Sequence, residues 1–576
     1  MVTELPVYSD FSSNWSNPED NPRNLYLRLA LPYVPRVLHL LDQNPYSPNY
    51  GSFDRSFWHY RTMDFPCGMS QEMVLLLALV YKNKYEGNPF HGLSRIYELT
   101  EAAIRFSMTS SHKDGTCDDY FPYERAMGAL VFSLYSATES YLLLEMDDQE
   151  IVSFFLRRVR HLAKENETGR LGNHQALAAL AAYNVYLISG DEQARRTAED
   201  RLSITLSWQH PEEGWIQEYE GADPGYHSCS IDFLAKLRKK RIEKEGSDDH
   251  TLKNALLKAV DFSWDFMHPD GSYGGEYGSR NTYHFYPHGF ELLAPLSPKA
   301  GQIADTFLEG VPKGKRYRND DDRMTTHYAY DFLQAWEDRI SERPKPLRES
   351  REKPETRWLK NCHLVVSRNG KEWDDLGGRH VVVNLSKGGI IKVFDSHGPI
   401  ASDTGVIGEL ADGTVLVSHL VQLDSKIIGE TDNPGGGNWT IRGSLCKRRK
   451  NQMSVFKNLI LRVWCLLIGR FNANLTRSLV QKIAITGKPK TKFDFEREIN
   501  ILPDRVRVTD RLSSNIPFRR LSIGSDATSI YVANSLTYQE SRLCPWQHAD
   551  WEKLPVENGK RVWSREYFRG SGHSPL

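Results

Sequence analysis

A short loop recurs in the first half of this chain, and its spacing limits the folds that the sequence can adopt. The clear copies are His112-Lys-Asp-Gly115, His210-Pro-Glu-Glu-Gly214 and His268-Pro-Asp-Gly271, each followed by an acidic residue and a tyrosine. A weaker copy ends at Gly169. The interval of roughly fifty residues equals two helices and two turns, which predicts stacked helical hairpins. Because the loops recur at one phase of the repeat, we expect them on one rim of an α/α toroid. The alternative is a straight solenoid with ordinary Asp-Gly turns.

Apolar residues at helical spacing support this interpretation. The helix after Gly169 is dense in alanine, and Gly190 follows it where a left-handed cap is expected. We predict a toroid, an incomplete barrel of helical hairpins, over residues 26–340, after a flexible N-terminal arm at 1–25. The predicted helices lie near 24–41, 71–81, 92–107, 124–146, 150–164, 173–189, 192–208, 227–240, 252–267 and 327–340.

The second half changes character after a charged, proline-bearing linker at 341–356. Short β-branched runs between turn residues predict an antiparallel β-sandwich over residues 357–576. The runs are at 363–367, 380–384, 389–394, 413–418, 438–442, 505–509 and 529–533.

A helical insertion near 452–482 interrupts the strands. Residues 455–471 are strongly apolar but include Lys457, Arg462 and Arg470, so the segment is too short and too charged to span a bilayer. We interpret it as a helix buried by the C-terminal domain. Its basic residues leave open a peripheral contact with a membrane interface.

Composition excludes some partners. Lysine and arginine number 73 against 74 acidic residues, which argues against nucleic-acid binding. Seven cysteines without CxxC spacing argue against a disulfide framework and a cysteine zinc cluster. The N-terminus lacks a secretory signal pattern. We therefore expect a cytoplasmic or peripheral membrane protein, with export by another route as the alternative.

Three motifs carry a resemblance to a known family. Asn173-His174 opens the alanine-rich helix, Gly225-Tyr226-His227 opens another, and Asp403-Thr-Gly405 follows a sandwich strand. In a toroid followed by a sandwich, they resemble the heparinase II/III-like and oligoalginate lyase group of polysaccharide lyases. The resemblance implies cleavage of a uronic-acid-containing polysaccharide by β-elimination, with an acidic polysaccharide or oligosaccharide as partner.

The chemistry of that reaction assigns the candidate catalytic residues. Removing the C5 proton of a uronate requires donors that neutralise the carboxylate and stabilise the enolate. By resemblance, Asn173 and His174 grip the carboxylate and Tyr226 is the base, since nearby positive charge lowers a phenol's pKa. Arg280 can pair with a carboxylate through its planar fork.

Further residues are candidates for substrate binding. The stretch from Gly274 to Gly289 is rich in polar and aromatic groups. The candidates in and around it, on the toroid rim and in the sandwich are Arg125, His227, Glu276, Tyr277, Tyr283, His284 and His380. The family's paired histidines before the sandwich strand are absent. We therefore predict no cofactor, and a divalent metal in the sandwich is not supported.

Three alternatives remain open. A uronyl C5-epimerase uses the same proton abstraction and returns the proton to the opposite face. A glycoside hydrolase on the same toroid needs two carboxylates, for which Asp119, Glu218 and Glu276 are candidates. A non-catalytic carbohydrate-binding protein of an envelope-polysaccharide pathway needs neither arrangement.

Overall fold

A computed structural model of the chain describes residues 21–167, 169–315, 325–343, 354–369, 378–395, 398–432, 435–448, 453–481, 489–524 and 546–568. Helices fill the first half of this part and strands fill most of the second. The first-half helices are α1 (Asn24–Ala30), α2 (Tyr33–Leu40), α3 (Arg55–Trp58), α4 (Val74–Lys82), α5 (Ser94–Ser110), α6 (Met127–Leu143), α7 (Gln149–Leu162), α8 (Gly172–Ser189), α9 (Glu192–Ser207), α10 (Pro224–Glu245), α11 (His250–Trp264), α12 (His288–Leu293), α13 (Pro298–Gly310) and α14 (Thr325–Asp338).

Alternate helices form an inner ring. Helix α4 packs against α6, α6 against α8, α8 against α10, α10 against α12, α12 against α14, and α14 returns to α4. Helices α5, α7, α9, α11 and α13 pack outside this ring. Helix α8, which lies between α6 and α10 in this ring, is buried along almost its whole length. This explains its alanine content, because small side chains let neighbouring helices approach closely. The ring confirms the predicted toroid over the straight solenoid.

The recurring loop is a closed turn in all three clear copies, and the copy at 210–214 is one residue longer than the other two. In each copy the glycine donates its N–H to the histidine carbonyl that opens the loop, at 2.8 to 3.1 Å. The glycines at 115, 214 and 271 have φ between 80° and 86°, a conformation that side chains rarely adopt. Gly190 ends α8 in the same left-handed region with φ 69°, as predicted.

Differences from the predicted helices have local causes. Pro32 interrupts the segment predicted at 24–41, so α1 and α2 are separate helices. Helix α1 begins at Asn24, inside the predicted flexible arm, while residues 1–20 lie outside the described part of the chain. Helices α3, α12 and α13 were not predicted. Two of them are short, and α13 includes glycines at 301 and 310 that weaken the helical pattern.

The second half is an antiparallel sandwich. Strands β1 (Gln217–Glu218) and β2 (Gly221–Ala222) form a small hairpin in the toroid. The sandwich strands are β3 (Glu355–Leu359), β4 (Leu364–Asn369), β5 (Arg379–Asn384), β6 (Ile390–Asp395), β7 (Gly398–Asp403), β8 (Val406–Leu410), β9 (Val415–Val417), β10 (Lys426–Asp432), β11 (Gly436–Lys447), β12 (Lys490–Ile501), β13 (Val506–Ser513), β14 (Phe518–Ile523), β15 (Gln547–Ala549), β16 (Val556–Glu557) and β17 (Lys560–Tyr567). Strands β3 to β7 form one sheet in sequence order, and β8 to β17 form the other.

The five-stranded sheet is the middle layer of the molecule. Val366 and Val382 belong to the apolar core of the toroid, whereas Val365, Val381 and Val383 belong to the core between the two sheets. Because successive side chains of a strand point to opposite faces, both faces of this sheet are covered. This explains why β5 reads as a continuous apolar run. Of the predicted strands, the run at 529–533 lies outside the described residues, as do 344–353 of the predicted linker.

The Asp403-Thr-Gly405 motif lies in a buried ion-pair network of the sandwich. The Asp403 carboxylate accepts hydrogen bonds from Arg497 at 3.0 Å and from Arg565 at 3.1 Å, and all three side chains are buried. Its Oδ1 also accepts the Gly405 N–H at 2.8 Å. The Asp403-Thr-Gly405 motif therefore stabilises the sandwich between its two sheets, away from the toroid.

The helical insertion near 452–482 is more exposed than predicted. It forms α15 (Val455–Trp464), a five-residue π-turn and α16 (Ala473–Gln481). The prediction that the C-terminal domain buries it is wrong, because no residue of α15 is buried. Among the described residues, no helix combines the length and the apolar character needed to cross a bilayer.

Candidate functional site

Helices α6, α8, α10 and α14 of the inner ring begin at the same end of the toroid, where most of the candidate residues lie. A side-chain carbon on Gly128, near the start of α6, would lie 2.9 Å from the imidazole of His174 at the start of α8. His327 of α14 packs edge-on against Phe132 of α6. Helix N-termini carry partial positive charge. This end of the ring therefore favours anionic groups.

Glu218 connects two of the predicted catalytic residues. Its Oε1 accepts hydrogen bonds from the backbone N–H and the side-chain amide of Asn173, both at 2.8 Å. Its Oε2 accepts one from Arg280 at 3.1 Å. A bridge between Leu171 and Glu218 brings hairpin β1–β2 to the first turn of α8, which explains the contact. Burial raises the pKa of the Glu218 carboxyl, and Arg280 opposes that shift.

Arg280 lies against two tyrosine rings. Its guanidinium carbon is 3.9 Å from the ring centroid of Tyr226 and 5.0 Å from that of Tyr219. Its Nε is buried and has no hydrogen-bond partner among the described residues. Only one of its five N–H donors is assigned to Glu218, so the guanidinium retains donors for a second anion.

Tyr226 lies in the first turn of α10. Its ring contacts Arg280 on the face and His284 edge-on at 4.9 Å. Burial raises the pKa of the phenol well above its usual value, and the positive charge of Arg280 acts in the opposite direction. The side chain is therefore a neutral phenol at neutral pH, next to a fixed cation.

Asp223 fixes the position of Tyr226 relative to Arg280. One carboxylate oxygen accepts the Tyr226 N–H at 3.0 Å and so caps α10, and the other accepts the Arg280 N–H at 2.9 Å. Thr282 also donates to this carboxylate. The Asp-Pro pair at 223 and 224 is a common helix start, with the aspartate as cap and proline in the first turn.

His284 is surrounded by aromatic groups. Its Nδ1 pairs with the hydroxyl of Tyr328 and lies 3.2 Å from that of Tyr286. Its buried Nε2 has no partner among the described residues. Burial, with His327 and Arg280 nearby, lowers the pKa of His284 well below its usual value. The imidazole is therefore neutral and packs against Tyr226.

His174 follows Asn173 but has a different partner. Its Nδ1 lies 2.7 Å from Glu167 Oε2. The side chain keeps some exposure, and its ring packs edge-on against Phe132. Glu167 orients the imidazole and leaves Nε2 for a ligand.

The sandwich holds the loop that includes Arg280. Lys387 donates from Nζ to the carbonyls of Glu276 at 2.7 Å and Gly278 at 2.8 Å, and to the Asn281 side chain. Burial lowers the pKa of Lys387 to about 7, while Asp223 and Glu276 favour its charged form. Three acceptors around one nitrogen require three N–H donors, which also favours the ammonium.

Three of the predicted binding residues in this loop, Glu276, Tyr277 and Tyr283, pair with protein groups. Glu276 pairs with Lys392 at 2.6 Å and accepts the hydroxyl of Tyr283. The Tyr277 hydroxyl pairs with His268 at 2.8 Å. All are buried. These contacts support the loop, and they differ from the predicted role of lining a sugar subsite.

Three other candidates do not join the cluster. Both ring nitrogens of His227 contact backbone groups, Ile216 N–H at 3.3 Å and Ala259 carbonyl at 3.0 Å, so we remove it from the site. Arg125 pairs with Asp114 on the rim. His380 is buried on β5, where its ring packs beside those of His268 and Phe394.

One buried cluster has residue types that bind metals. Asp232, His288 and Asp331 have ligand atoms within 4.8 Å of one another. However, the Lys236 ammonium lies 2.6 Å from Asp232 and 3.8 Å from Asp331. This lysine supplies the positive charge that the carboxylates need, so the cluster is an internal ion network of the helical ring.

Sequence reasoning missed the roles of Glu218, Asp223 and Lys387. Glu218 stood out only as a possible hydrolytic carboxylate of the repeat. The Asp-Pro pair signals the cap at 223, but the sequence does not show that its second oxygen holds Arg280. Lys387 lies more than a hundred residues from the loop that it supports, and no local pattern identifies it.

Comparisons with known proteins place this fold among polysaccharide lyases. No family model matches the sequence. No curated protein matches it at a significant level either. Xanthan lyase from Paenibacillus superposes with a TM-score of 0.50 and 11% identity, covering 89% of this chain and 47% of that one. Chondroitin AC lyase from Streptomyces coelicolor A3, in complex with chondroitin sulphate, gives a TM-score of 0.51 and 11% identity, covering 89% and 72%.

This chain thus spans about half the length of the xanthan lyase. At such low identity the likeness concerns the fold alone. The order of a helical toroid and an antiparallel β domain is shared with these lyases, as the family resemblance implied.

Proposed function

We propose that this protein is a polysaccharide lyase that cleaves a uronic-acid-containing polysaccharide by β-elimination. The observation that carries the proposal is the convergence of Asn173, Tyr226 and Arg280. They come from three separate segments: Asn173 and Arg280 both donate to Glu218, and Tyr226 packs against Arg280.

The electrostatics of this cluster fit an anionic sugar. Asn173 and Arg280 already hold one carboxylate, that of Glu218, with N–H donors. The remaining donors of Arg280 can pair with the carboxylate of a uronate. The starts of α8 and α10 add partial positive charge on the same side. Neutralising the substrate carboxylate makes the neighbouring C5–H bond more acidic.

Tyr226 would then carry the proton transfer. The resting phenol first releases its proton to solvent; its phenolate oxygen then takes the C5 proton, the electron pair of that bond forms the C4–C5 double bond, and the C4–O bond to the leaving sugar breaks. The phenol returns its proton to the leaving oxygen. Arg280 stacked on the ring favours the phenolate needed at the first step, against the effect of burial.

A direct test is incubation of the purified protein with a panel of uronate polymers. We expect products with ultraviolet absorbance from a C4–C5 double bond. The Tyr226→Phe variant should lose this activity while keeping its thermal stability. Tyr183→Phe is the matched control, since Tyr183 is also buried but pairs with Glu245 at the far end of α8.

The same assay separates the alternatives. Exchange of the C5 hydrogen with solvent deuterium, without absorbing products, would identify an epimerase. New reducing ends without absorbance would identify a hydrolase. A specific observation favours hydrolysis as the second candidate: burial and the nearby Asp119 raise the pKa of Glu124 to about 8. In that case Glu124→Gln, and not Tyr226→Phe, would abolish activity. Binding without any product would indicate a carbohydrate-binding protein.

A further inference from the structure

The helical insertion, which we call the insertion hairpin (residues 453–481), lies on the rim of the toroid. It contacts that rim through polar groups. Arg462 pairs with Asp64 at 2.7 Å, Asn474 donates to Glu165 at 3.2 Å, and Arg477 donates to the Arg125 carbonyl at 3.1 Å. These contacts leave most of its apolar side chains uncovered.

Its apolar residues face outward. Twenty-one large apolar side chains are exposed in the described part of the chain, and twelve of them lie between Met453 and Leu479. Val455 is 90% exposed, Phe456 70% and Phe471 76%. This density in 27 residues is unlike the scattered exposure that a soluble surface usually shows.

The interior of the hairpin contains polar groups. The Trp464 indole N–H donates to the Thr476 hydroxyl at 3.1 Å, and Thr476 is buried. Cys465 is the other fully buried side chain at this turn. The hairpin therefore holds its shape by internal contacts and presents its apolar residues to its surroundings.

The charge of this region is one-sided. Between residues 453 and 481 the hairpin has four basic residues, Lys457, Arg462, Arg470 and Arg477, and no aspartate or glutamate. The whole chain has nearly equal numbers, 73 basic and 74 acidic residues. A partner for this surface should therefore be anionic.

We propose that the insertion hairpin binds the surface of an anionic lipid membrane, with its apolar side chains at the level of the headgroups. Lipid accepts the apolar residues and also attracts the basic ones. A second copy of the chain would bring two basic surfaces together without acidic partners. An acidic polysaccharide would pair the charges but leave the apolar side chains in water. The proposal does not depend on the proposed lyase activity.

Vesicle sedimentation with the full chain tests this inference. We expect binding to vesicles of phosphatidylcholine with phosphatidylglycerol, weaker binding to phosphatidylcholine alone, and weaker binding as salt increases. The triple variant Phe456→Ser, Leu467→Ser, Phe471→Ser should reduce the bound fraction at least about tenfold. The control triple Leu423→Ser, Ile428→Ser, Val556→Ser changes exposed apolar residues of the sandwich and should bind like the parent protein.

A charge variant provides the second arm. Lys457→Glu with Arg470→Glu should weaken binding to anionic vesicles, whereas Arg520→Glu with Lys553→Glu, on the exposed sandwich surface, should not. Circular dichroism and thermal melting check that each variant is folded. Equal binding to both vesicle types, or no vesicle binding, would overturn the proposal. The proposal would also be overturned if the protein fails to bind vesicles and instead forms a dimer that the substitutions Phe456→Ser, Leu467→Ser and Phe471→Ser dissociate.

Discussion

Glu218 is the residue around which the candidate site is arranged, because it accepts hydrogen bonds from both Asn173 and Arg280 while fully buried. We predict that Glu218→Gln lowers the free energy of unfolding by about 3–5 kcal/mol, since it leaves the buried Arg280 charge without its counterion. Urea denaturation measures this change, and the same variant should lose activity.

Glu192→Gln is the matched control for that prediction. Glu192 pairs with Arg195 at 2.8 Å on an exposed helix surface, so its loss should cost less than about 1 kcal/mol. Equal effects of the two variants would show that Glu218 does not stabilise Arg280.

The family resemblance proposed Asn173 and Tyr226, and residue chemistry proposed Arg280. The sequence could not show that Glu218 accepts hydrogen bonds from both Asn173 and Arg280, because these contacts join three distant segments. Sequence reasoning also placed His227 wrongly. Neighbouring residues on a helix point about 100° apart, so a histidine next to Tyr226 faces the packed side of α10.

Lys387 is one of three sandwich residues that hold the loop at 276–281, together with Lys392 and Asn384. We predict that Lys387→Met lowers the free energy of unfolding by about 3 kcal/mol, because three buried acceptors lose their donor. Hydrogen exchange of the loop amides should become faster. Activity should fall as well, since Arg280 loses its support.

Lys426→Met is the control, because Lys426 is an exposed lysine of β10. It should leave stability and loop exchange unchanged. If the loop amides exchange hydrogen at the same rate in Lys387→Met as in the parent protein, then the other contacts hold the loop and the prediction is wrong.

Elements with strong periodicity were predictable, and their surroundings were not. Helical spacing predicted α5 to α11 within a few residues, and β-branched runs predicted β4 to β6. The same apolar pattern in residues 455–471 suggested a buried helix, yet α15 is exposed. An apolar sequence shows that a surface avoids water, but it does not show whether the protein itself covers that surface.

Buried histidines in both halves of the molecule should reduce its stability in mild acid. Burial lowers the pKa of His227 to about 4 and of His419 to about 3, and lowers that of His284 as well. The unfolded chain therefore binds more protons than the folded one below pH about 6.5, so the stability that these groups contribute falls as pH decreases toward 4. His288, Glu124 and Glu218, whose pKa values are raised in the fold, act in the opposite direction.

Each extra proton bound by the unfolded chain adds about 1.4 kcal/mol per pH unit to this slope. Unfolding by urea at several pH values measures it. The His227→Gln variant should have a shallower slope between pH about 6.5 and about 4. Equal slopes in the His227→Gln variant and the parent protein would contradict this prediction.

At the scale of the molecule, the recurring loop and the change to β-branched runs predicted a toroid followed by a sandwich. They did not predict that the five-stranded sheet lies between the helices and the larger sheet. That arrangement depends on which face of each strand meets the toroid, as with Val365 and Val366, and both faces read as apolar in the sequence.

The most direct test of the central claim is a crystal structure of Tyr226→Phe with a bound uronate oligosaccharide. We predict that the sugar carboxylate lies within hydrogen-bond distance of Arg280 or Asn173, with C5 facing the ring at position 226. A glycosidic bond lying between Asp119 and Glu124, or a sugar bound away from Arg280, would contradict it.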